Sequence, residues 1–286
     1  MQQRLIVCAD DYGLTPGVSR AIRELLAARR ISATSVMAAS EYWPAEAPSL
    51  KAVAGGADIG LHITLTDHIP LGPMPAFAPS GRFPAMAAVY KAGLGRRLPL
   101  DEIRSEIERQ IASFITHFGA PPAHFDGHHH IHQLPGIRDI VVDAAKRLGS
   151  GQIWVRSCRE TPLRIWRRGI AVGKALAIGS FGRAIERRAR RAGVPVNRGF
   201  SGAYDFLTDK RPVAELFRRF VSNAGDNALV MCHPGYCDAA LTNLDIMTTA
   251  REAERAYLMS PDCPALLAAQ GLEIGPLRRD RVAFLE

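Results

Sequence analysis

Residues 5–11 have the sequence Leu5-Ile6-Val7-Cys8-Ala9-Asp10-Asp11, an apolar run that ends at two acidic residues. Five consecutive apolar residues without polar alternation are typical of a strand that is buried on both faces of a parallel sheet. The run therefore predicts a parallel strand, with Asp10 and Asp11 at its carboxyl end.

The residues after this strand alternate between helical and strand patterns. Thr15 and Pro16 are typical of the cap and first turn of a helix. The predicted elements are a helix over 15–26, a strand over 34–39, a helix over 45–53 and a strand over 57–65. Strands joined in this way by helices run parallel and end at one edge of the sheet, so we expect His62 beside the two aspartates.

The rest of the chain continues this alternation. The predicted elements are a long loop over 66–99 with a helix near 86–93, a helix over 100–119, a strand over 123–126, a helix over 134–148, strands over 153–156 and 196–200, a helix over 212–221, a strand over 228–232, helices over 248–258 and 265–270, and strands over 272–274 and 282–285. We predict an α/β fold with one domain over residues 1–286 and an insertion at about 159–195.

The composition is that of a globular protein with a substantial core. The chain has 286 residues, of which 47% are hydrophobic. Its sequence holds no apolar run of about 18 residues, and the apolar run near the N-terminus is too short for a signal peptide. The five cysteines lack the spacing of a zinc ribbon. We therefore expect reduced thiols in a cytoplasmic protein.

The net charge of +8 comes from one segment. Residues 159–191 contain ten Lys or Arg and two acids, whereas the remaining chain has 26 of each sign. This distribution does not favour nucleic-acid binding by the whole protein. One interpretation is a solvated helix pair that packs on the domain through Ile165, Trp166, Ile170, Leu176 and Ile185. The other is a peripheral contact with an anionic membrane at its inner face.

Five of the nine histidines lie in the stretch His124-Phe125-Asp126-Gly127-His128-His129-His130-Ile131-His132. Imidazole is a common ligand of divalent transition metals, so the stretch predicts one side of a metal site. An extended run would place His128, His130 and His132 on one face, whereas a helix would align His128 with His132. The alternative interpretation is an exposed polar loop without a ligand.

Polar residues of the kind that bind metals follow four predicted strands. They are Asp10 with Asp11, His62, the histidine stretch and His233. Active sites of parallel α/β proteins form where loops follow the carboxyl ends of strands. Two imidazoles and a carboxylate around a metal leave positions open for water, and a second carboxylate with a further histidine could act as base and acid. The arrangement favours hydrolysis of an amide or ester.

These motifs resemble those of the YdjC-like (ChbG/HpnK) carbohydrate deacetylases. The resemblance rests on Asp10-Asp11-Tyr12-Gly13-Leu14, Ala33-Thr34-Ser35, Gly60-Leu61-His62, the histidine stretch and Cys232-His233-Pro234-Gly235-Tyr236. It implies a distorted (β/α) barrel that removes N-acetyl groups from N-acetylglucosamine units of chito-oligosaccharides or glycosylated lipids. It also implies a Zn²⁺ or Mg²⁺ cofactor held by Asp11, His62 and His128, with Asp10 as base and His233 as acid.

Two positions depart from the pattern of this family. Tyr12 stands where Phe is usual, and Gly127 stands where Ser is common. Both changes are compatible with the metal site and would alter the substrate pocket. The resemblance assigns no ligand role to His129, His130 and His132, which we expect to support the ligands or face the substrate.

Two alternative functions compete with deacetylation. A phosphoesterase would use a similar metal and histidine, although no glycine-rich phosphate loop is visible in the sequence. A non-catalytic protein that binds an anionic surface would use the basic segment. Binding alone would not require an acid and a base around a metal, so the sequence favours the deacetylase.

Overall fold

The computed structural model describes residues 2–208, 211–245 and 247–279. Within these ranges the strands are β1 (Gln3–Tyr12), β2 (Ala33–Val36), β3 (Asp58–Ile63), β4 (His124–Gly127), β5 (Trp154–Val155), β6 (Phe200–Ser201), β7 (Ala228–Cys232) and β8 (Leu272–Ile274). All pairs are parallel, in the order β5-β4-β3-β2-β1-β7-β6, and β8 pairs with the first residues of β1. The long strand β1 therefore lies at the centre of the sheet.

Helices connect the strands and cover the sheet. They are α1 (Pro16–Ala27), α2 (Trp43–Val53), α3 (Met86–Leu94), α4 (Leu100–Phe118), α5 (Ile137–Gly149), α6 (Pro162–Arg168), α7 (Val172–Ser180), α8 (Gly182–Ala192), α9 (Val213–Val221), α10 (Ala239–Leu244), α11 (Thr249–Met259) and α12 (Asp262–Ala269). A 3₁₀ helix, His128–Gln133, follows β4 directly. The cap predicted for α1 is present, since the Thr15 hydroxyl accepts a hydrogen bond from the backbone N–H of Val18.

Both faces of β1 are buried, as its apolar run predicts. Leu5, Val7 and Ala9 pack in one hydrophobic cluster with residues of the surrounding helices. Ile6 and Cys8 point the other way, into a smaller cluster with Trp154, Leu229 and Met231. Consecutive side chains of a strand point to opposite faces, so one cluster lies outside the sheet and the other inside its curve.

The curved sheet forms a distorted, incomplete barrel, which confirms the predicted α/β fold class. The two edges of the sheet come close together, since Val155 of β5 forms a parallel bridge with Val196, which precedes β6. The N–H of Val155 donates to the carbonyl of Pro195 at 2.9 Å. The prediction of a single domain over 1–286 extends beyond the described residues and stays a prediction.

Three element predictions need comment. The strand predicted at 196–200 is wrong, because the Asn197 side chain bonds to the backbone N–H and carbonyl of Ser157, and β6 begins only at Phe200. The helix predicted from residue 134 begins at Ile137, since the 3₁₀ helix occupies the preceding residues. The strand predicted at 282–285 lies outside the described residues.

The basic insertion consists of three short helices, α6, α7 and α8, and not the predicted pair. Ile165, Ile170 and Ile185 are buried as predicted. Packing through Trp166 and Leu176 is wrong, because these side chains are 72% and 41% exposed. No helix among the described residues has the length and apolarity that crossing a membrane requires.

Candidate metal and catalytic site

The residues predicted for the site meet at the carboxyl edge of the barrel. Asp10 and Asp11 lie near the end of β1, and His62 lies near the end of β3. His128 follows β4, and His233 follows β7. Since the strands are parallel and adjacent, their ends bring together residues that are more than 200 positions apart in the sequence.

Asp11, His62 and His128 form a group of three donor atoms. Oδ1 of Asp11 lies 3.4 Å from Nε2 of His62 and 3.2 Å from Nδ1 of His128. The three donor atoms lie within 4.8 Å of one another. Oδ1 of Asp11 is buried and has no hydrogen-bond partner in the described part of the chain. A buried, unpaired carboxylate oxygen between two imidazoles fits a divalent cation.

An arginine holds the other oxygen of Asp11. Nη2 of Arg251 donates to Oδ2 of Asp11 at 2.6 Å and to Oδ2 of Asp245 at 2.6 Å. Burial raises the pKa of Asp11, but Arg251 and the two histidines outweigh burial and hold the pKa well below its usual range. Asp11 is therefore a carboxylate with one oxygen fixed and the other directed at the imidazoles.

The backbone around these ligands is unusual. Asp11 has a φ of 70°, and the pairing of β1 with β2 shifts register between Ala9 and Tyr12. His129 and His130 also have left-handed φ values, of 54° and 59°. Non-glycine residues adopt this region rarely, and such residues cluster at functional sites. The histidine stretch is therefore neither extended nor regularly helical, which contradicts both geometries considered for it.

A second carboxylate orients His62. Nδ1 of His62 lies 2.7 Å from Oδ1 of Asp126, and Oδ2 of Asp126 accepts a hydrogen bond from Ser35. Burial lowers the pKa of His62, but Asp126 and Asp11 outweigh burial and raise it to about 10. His62 must therefore release a proton before both of its nitrogens can serve a cation and Asp126.

Asp10 faces a buried arginine that the sequence analysis missed. Nη1 and Nη2 of Arg156 donate to the two oxygens of Asp10 at 2.7 and 2.6 Å. Nη2 of Arg156 also lies 2.5 Å from Oδ2 of Asp126. The available signal was a single arginine at the end of the apolar strand predicted over 153–156. Arg251 gave no such signal, because nothing in the pattern of α11 indicates which of its arginines is buried.

Two further groups of three donors occur at this edge: Cys8, His124 and Asp126, and Asp10, His62 and Asp126. The guanidinium of Arg156 contacts members of both groups, with Nη2 3.1 Å from Sγ of Cys8. Arg156 engages both oxygens of Asp10 and Oδ2 of Asp126, whereas Arg251 engages only Oδ2 of Asp11 and leaves Oδ1 of Asp11 to a cation. The group around Asp11 is therefore the better metal site.

The ring of Phe206 links His233 to the basic insertion. Nδ1 of His233 is buried and has no hydrogen-bond partner among the described residues, and burial lowers the pKa to about 4. The ring of Phe206 packs edge-on against His233 at 5.5 Å between centroids. Lys174 of α7 lies 4.5 Å from the Phe206 ring centre and donates to the carbonyl of Tyr204 at 2.9 Å.

The remaining histidines of the stretch make their polar contacts with other protein groups, and the ring of His129 also packs against the ring of His128 at 4.0 Å between centroids. Nδ1 of His129 lies 2.9 Å from the Thr66 hydroxyl, and Nδ1 of His130 lies 3.6 Å from the Cys158 sulfur. Nε2 of His132 lies 3.0 Å from the carbonyl of Arg156. Their contacts are with the protein, so they connect the stretch to its neighbours.

The fold and this edge define an α/β barrel protein with a candidate metal centre at its strand ends. The chain belongs to the YdjC-like family, whose model matches residues 4–269. It is 30% identical to a chitooligosaccharide deacetylase of Serratia marcescens, over 91% of this chain and 98% of that relative. It is also 30% identical to one of Yersinia pestis (strain Pestoides F), over 96% and 98%.

A solved structure shares the fold. The crystal structure of a candidate cellobiose-phosphate cleavage protein from Enterococcus faecalis V583 superposes with a TM-score of 0.71 and 22% identity. The match covers 99% of this chain and all of that chain. This likeness supports the barrel architecture over the whole length.

Proposed function

We propose that the protein is a metal-dependent carbohydrate N-deacetylase that acts on N-acetylglucosamine-type units of an oligosaccharide or glycolipid. The observation that carries the proposal is the buried Oδ1 of Asp11, which lies between two imidazoles and has no hydrogen-bond partner among the described residues. The curated relatives from Serratia and Yersinia are named chitooligosaccharide deacetylases, which supports the same reaction class.

Asp11, His62 and His128 would hold the cation. Two nitrogen donors and one oxygen suit Zn²⁺, and the family resemblance extends the choice to Mg²⁺. When bound, a divalent cation supplies Lewis-acid activation of the amide carbonyl and of the attacking water. Arg251 fixes Asp11, and Asp126 fixes His62, so the donors are already oriented.

Asp10 would take the proton of the attacking water, and Arg156 would hold Asp10 in position. His233, which follows the neighbouring strand β7, would give a proton to the leaving amine. With a pKa of about 4, His233 is neutral at pH 7. Its role as acid requires the negative charge that develops on the substrate to raise that pKa during the reaction.

The basic insertion supports a more specific proposal for the substrate and for the location of the protein. A lipid-linked amino sugar, a cytoplasmic location and contact with an anionic membrane agree with a segment that carries the whole excess charge. Leu163 and Trp166 of α6 are 55% and 72% exposed, which supports such a contact. A free chito-oligosaccharide needs no contact of this kind, so both substrate forms belong to the test.

The test is release of acetate from N-acetylglucosamine oligomers by protein purified without added metal. We expect chelation to abolish release and add-back of Zn²⁺ or Mg²⁺ to restore it, with elemental analysis of the bound metal at each stage. Full acetate release by metal-free protein would refute the metal dependence. Release of phosphate from a phosphate ester, without release of acetate, would favour the phosphoesterase.

A further inference from the structure

A cavity of about 690 Å³ lies between α6, α8 and the residues that precede β6 and β7. Six arginines line it: Arg159, Arg164, Arg183, Arg187, Arg190 and Arg198. Three acids are also present, Glu160, Glu186 and Asp226. The lining therefore carries an excess of positive charge, and it includes none of the residues proposed for deacetylation.

The acids of the lining are already engaged. Oε2 of Glu186 lies 2.6 Å from Nη1 of Arg159. Oε2 of Glu160 lies 2.7 Å from Nη2 of Arg168, which is not part of the lining. Oδ1 of Asp226 accepts a hydrogen bond from a backbone N–H. Oε1 of Glu160 also lies 3.8 Å from Nη1 of the lining residue Arg164. Arg159 and Arg164 of the lining are therefore paired with these acids, whereas no such pair within the described residues involves Arg183 or Arg187 of α8.

Helix α8 carries arginines that are not part of its buried face. Its buried face consists of Ile185, Ala189 and Ala192, whereas Arg183, Arg187 and Arg190 follow at helical spacing on another face. Arg183 and Arg187 are exposed and make no ion pair or hydrogen bond with any residue that the structure describes. Arg183 also lies in the first turn, where the helix dipole disfavours a positive charge. A bound anion would offset the unfavourable interaction of Arg183 with the helix dipole.

The cavity is remote from the metal centre. Asp226 lines the cavity just before β7, and His233 follows the other end of the same strand. The five residues of β7 alone span roughly 17 Å. A ligand in the cavity would therefore not contact the groups that perform the proposed reaction.

We propose that this cavity is a second binding site for a ligand that carries phosphate groups. Guanidinium groups bind phosphate oxygens in a bidentate manner, and several converging arginines suit a multiply charged tetrahedral anion better than a single carboxylate. The volume suits a small molecule or a headgroup. The phosphate belongs either to a soluble phosphate ester or to a phospholipid headgroup, next to the exposed Trp166 of α6.

The test compares two double variants of equal charge. Arg183→Gln with Arg187→Gln removes the two unpaired arginines of the cavity. Arg104→Gln with Arg218→Gln removes two exposed arginines of α4 and α9 that do not line it. Binding of inorganic pyrophosphate is measured by calorimetry. Binding to vesicles of phosphatidylglycerol, with phosphatidylcholine as reference, is measured by sedimentation. Thermal unfolding of each variant shows that it is folded, and Arg187→Gln alone provides a second test.

We expect the wild type and the control variant to bind pyrophosphate alike and the cavity variant to bind about ten-fold to a hundred-fold more weakly. Vesicle binding with the same dependence on Arg183 and Arg187, but without pyrophosphate binding, would assign the phosphate to a lipid. Equal weakening in both double variants, unchanged binding in the cavity variant, or no binding of either probe would overturn the proposal.

Discussion

The charged side chains of the catalytic edge and of the basic insertion differ in their burial and in their pairing. At the edge, Asp10 and Asp11 are buried, and each is held by a different buried arginine, Arg156 or Arg251. In the insertion, Arg183 and Arg187 are exposed, and they have no partner within the described ranges.

The difference shows which charges folding had to compensate. Burying an ion without a partner costs several kcal/mol, so every charge at the edge needs a counterion whatever its function. Exposed arginines carry no such requirement, so the insertion can present an uncompensated surface. The proposed catalytic residues lie at the edge, where the charges are paired. The proposed ligand site lies in the insertion, where the arginines are exposed.

The largest expected effect concerns the three donors. Asp11→Ala, His62→Ala and His128→Ala should each remove bound metal and reduce deacetylase activity to background, because each change deletes one ligand. Metal content by elemental analysis and acetate release are the measurements. His117→Ala, which changes an exposed histidine of α4, is the control.

Full metal content and activity in the His128 variant would transfer the ligand to a neighbouring histidine. Loss of metal in the His117 control would show that the measurement reports damage to the protein and not the site. Either result would remove the distinction between the edge and the exposed surface.

A smaller effect separates the two aspartates. Asp10→Asn should retain the metal and the fold but lower activity by about 10²-fold to 10⁴-fold, since the change removes the proposed base and keeps its size. Metal content, unfolding temperature and acetate release decide the outcome. A variant that loses metal would show that the roles of Asp10 and Asp11 are reversed.

The smallest effect concerns acid stability. The His132 side chain and Nδ1 of His233 are buried, and burial lowers the pKa values of both histidines to about 4 from 6.5. Protonation therefore favours the unfolded chain, so their contribution is present above pH 6.5 and is lost as pH falls from about 6.5 to about 4. Thermal unfolding of chelated protein should show a falling midpoint across this range.

The insertion provides the control for this pH effect. Arginine does not titrate between pH 4 and 7, so Arg187→Gln should leave the pH dependence unchanged. A midpoint that is flat between pH 6.5 and 4 in the wild type would contradict the burial of the two histidines. If the unfolding midpoint were independent of pH in the arginine variant alone, the insertion and not the two histidines would cause the acid sensitivity.

The sequence predicts elements where one pattern dominates. The strand over 228–232 has its predicted bounds because a continuous apolar run stands between Asn227 and His233. The strand ends that carry the candidate donors could be predicted for the same reason. The strand predicted over 196–200 was wrong because the pairing of Asn197 with Ser157 depends on a residue 40 positions away.

The charge partners could not be predicted, for a similar reason. Arg251 contacts Asp11 across 240 residues, and no local pattern distinguishes it from the other arginines of α11. The left-handed φ values of His129 and His130 were also beyond the sequence, since histidine has no strong preference for them. Counterions and strained turns become visible only after the barrel brings distant strand ends together.

The contact of Lys174 with Phe206 and Tyr204 links the insertion to the ring that packs against His233. The three donors, in contrast, come from β1, β3 and the turn after β4, and none comes from the insertion. A change in the insertion can therefore alter the surroundings of His233 while the set of donors stays the same. The proposed acid and the proposed metal ligands thus depend on different parts of the chain.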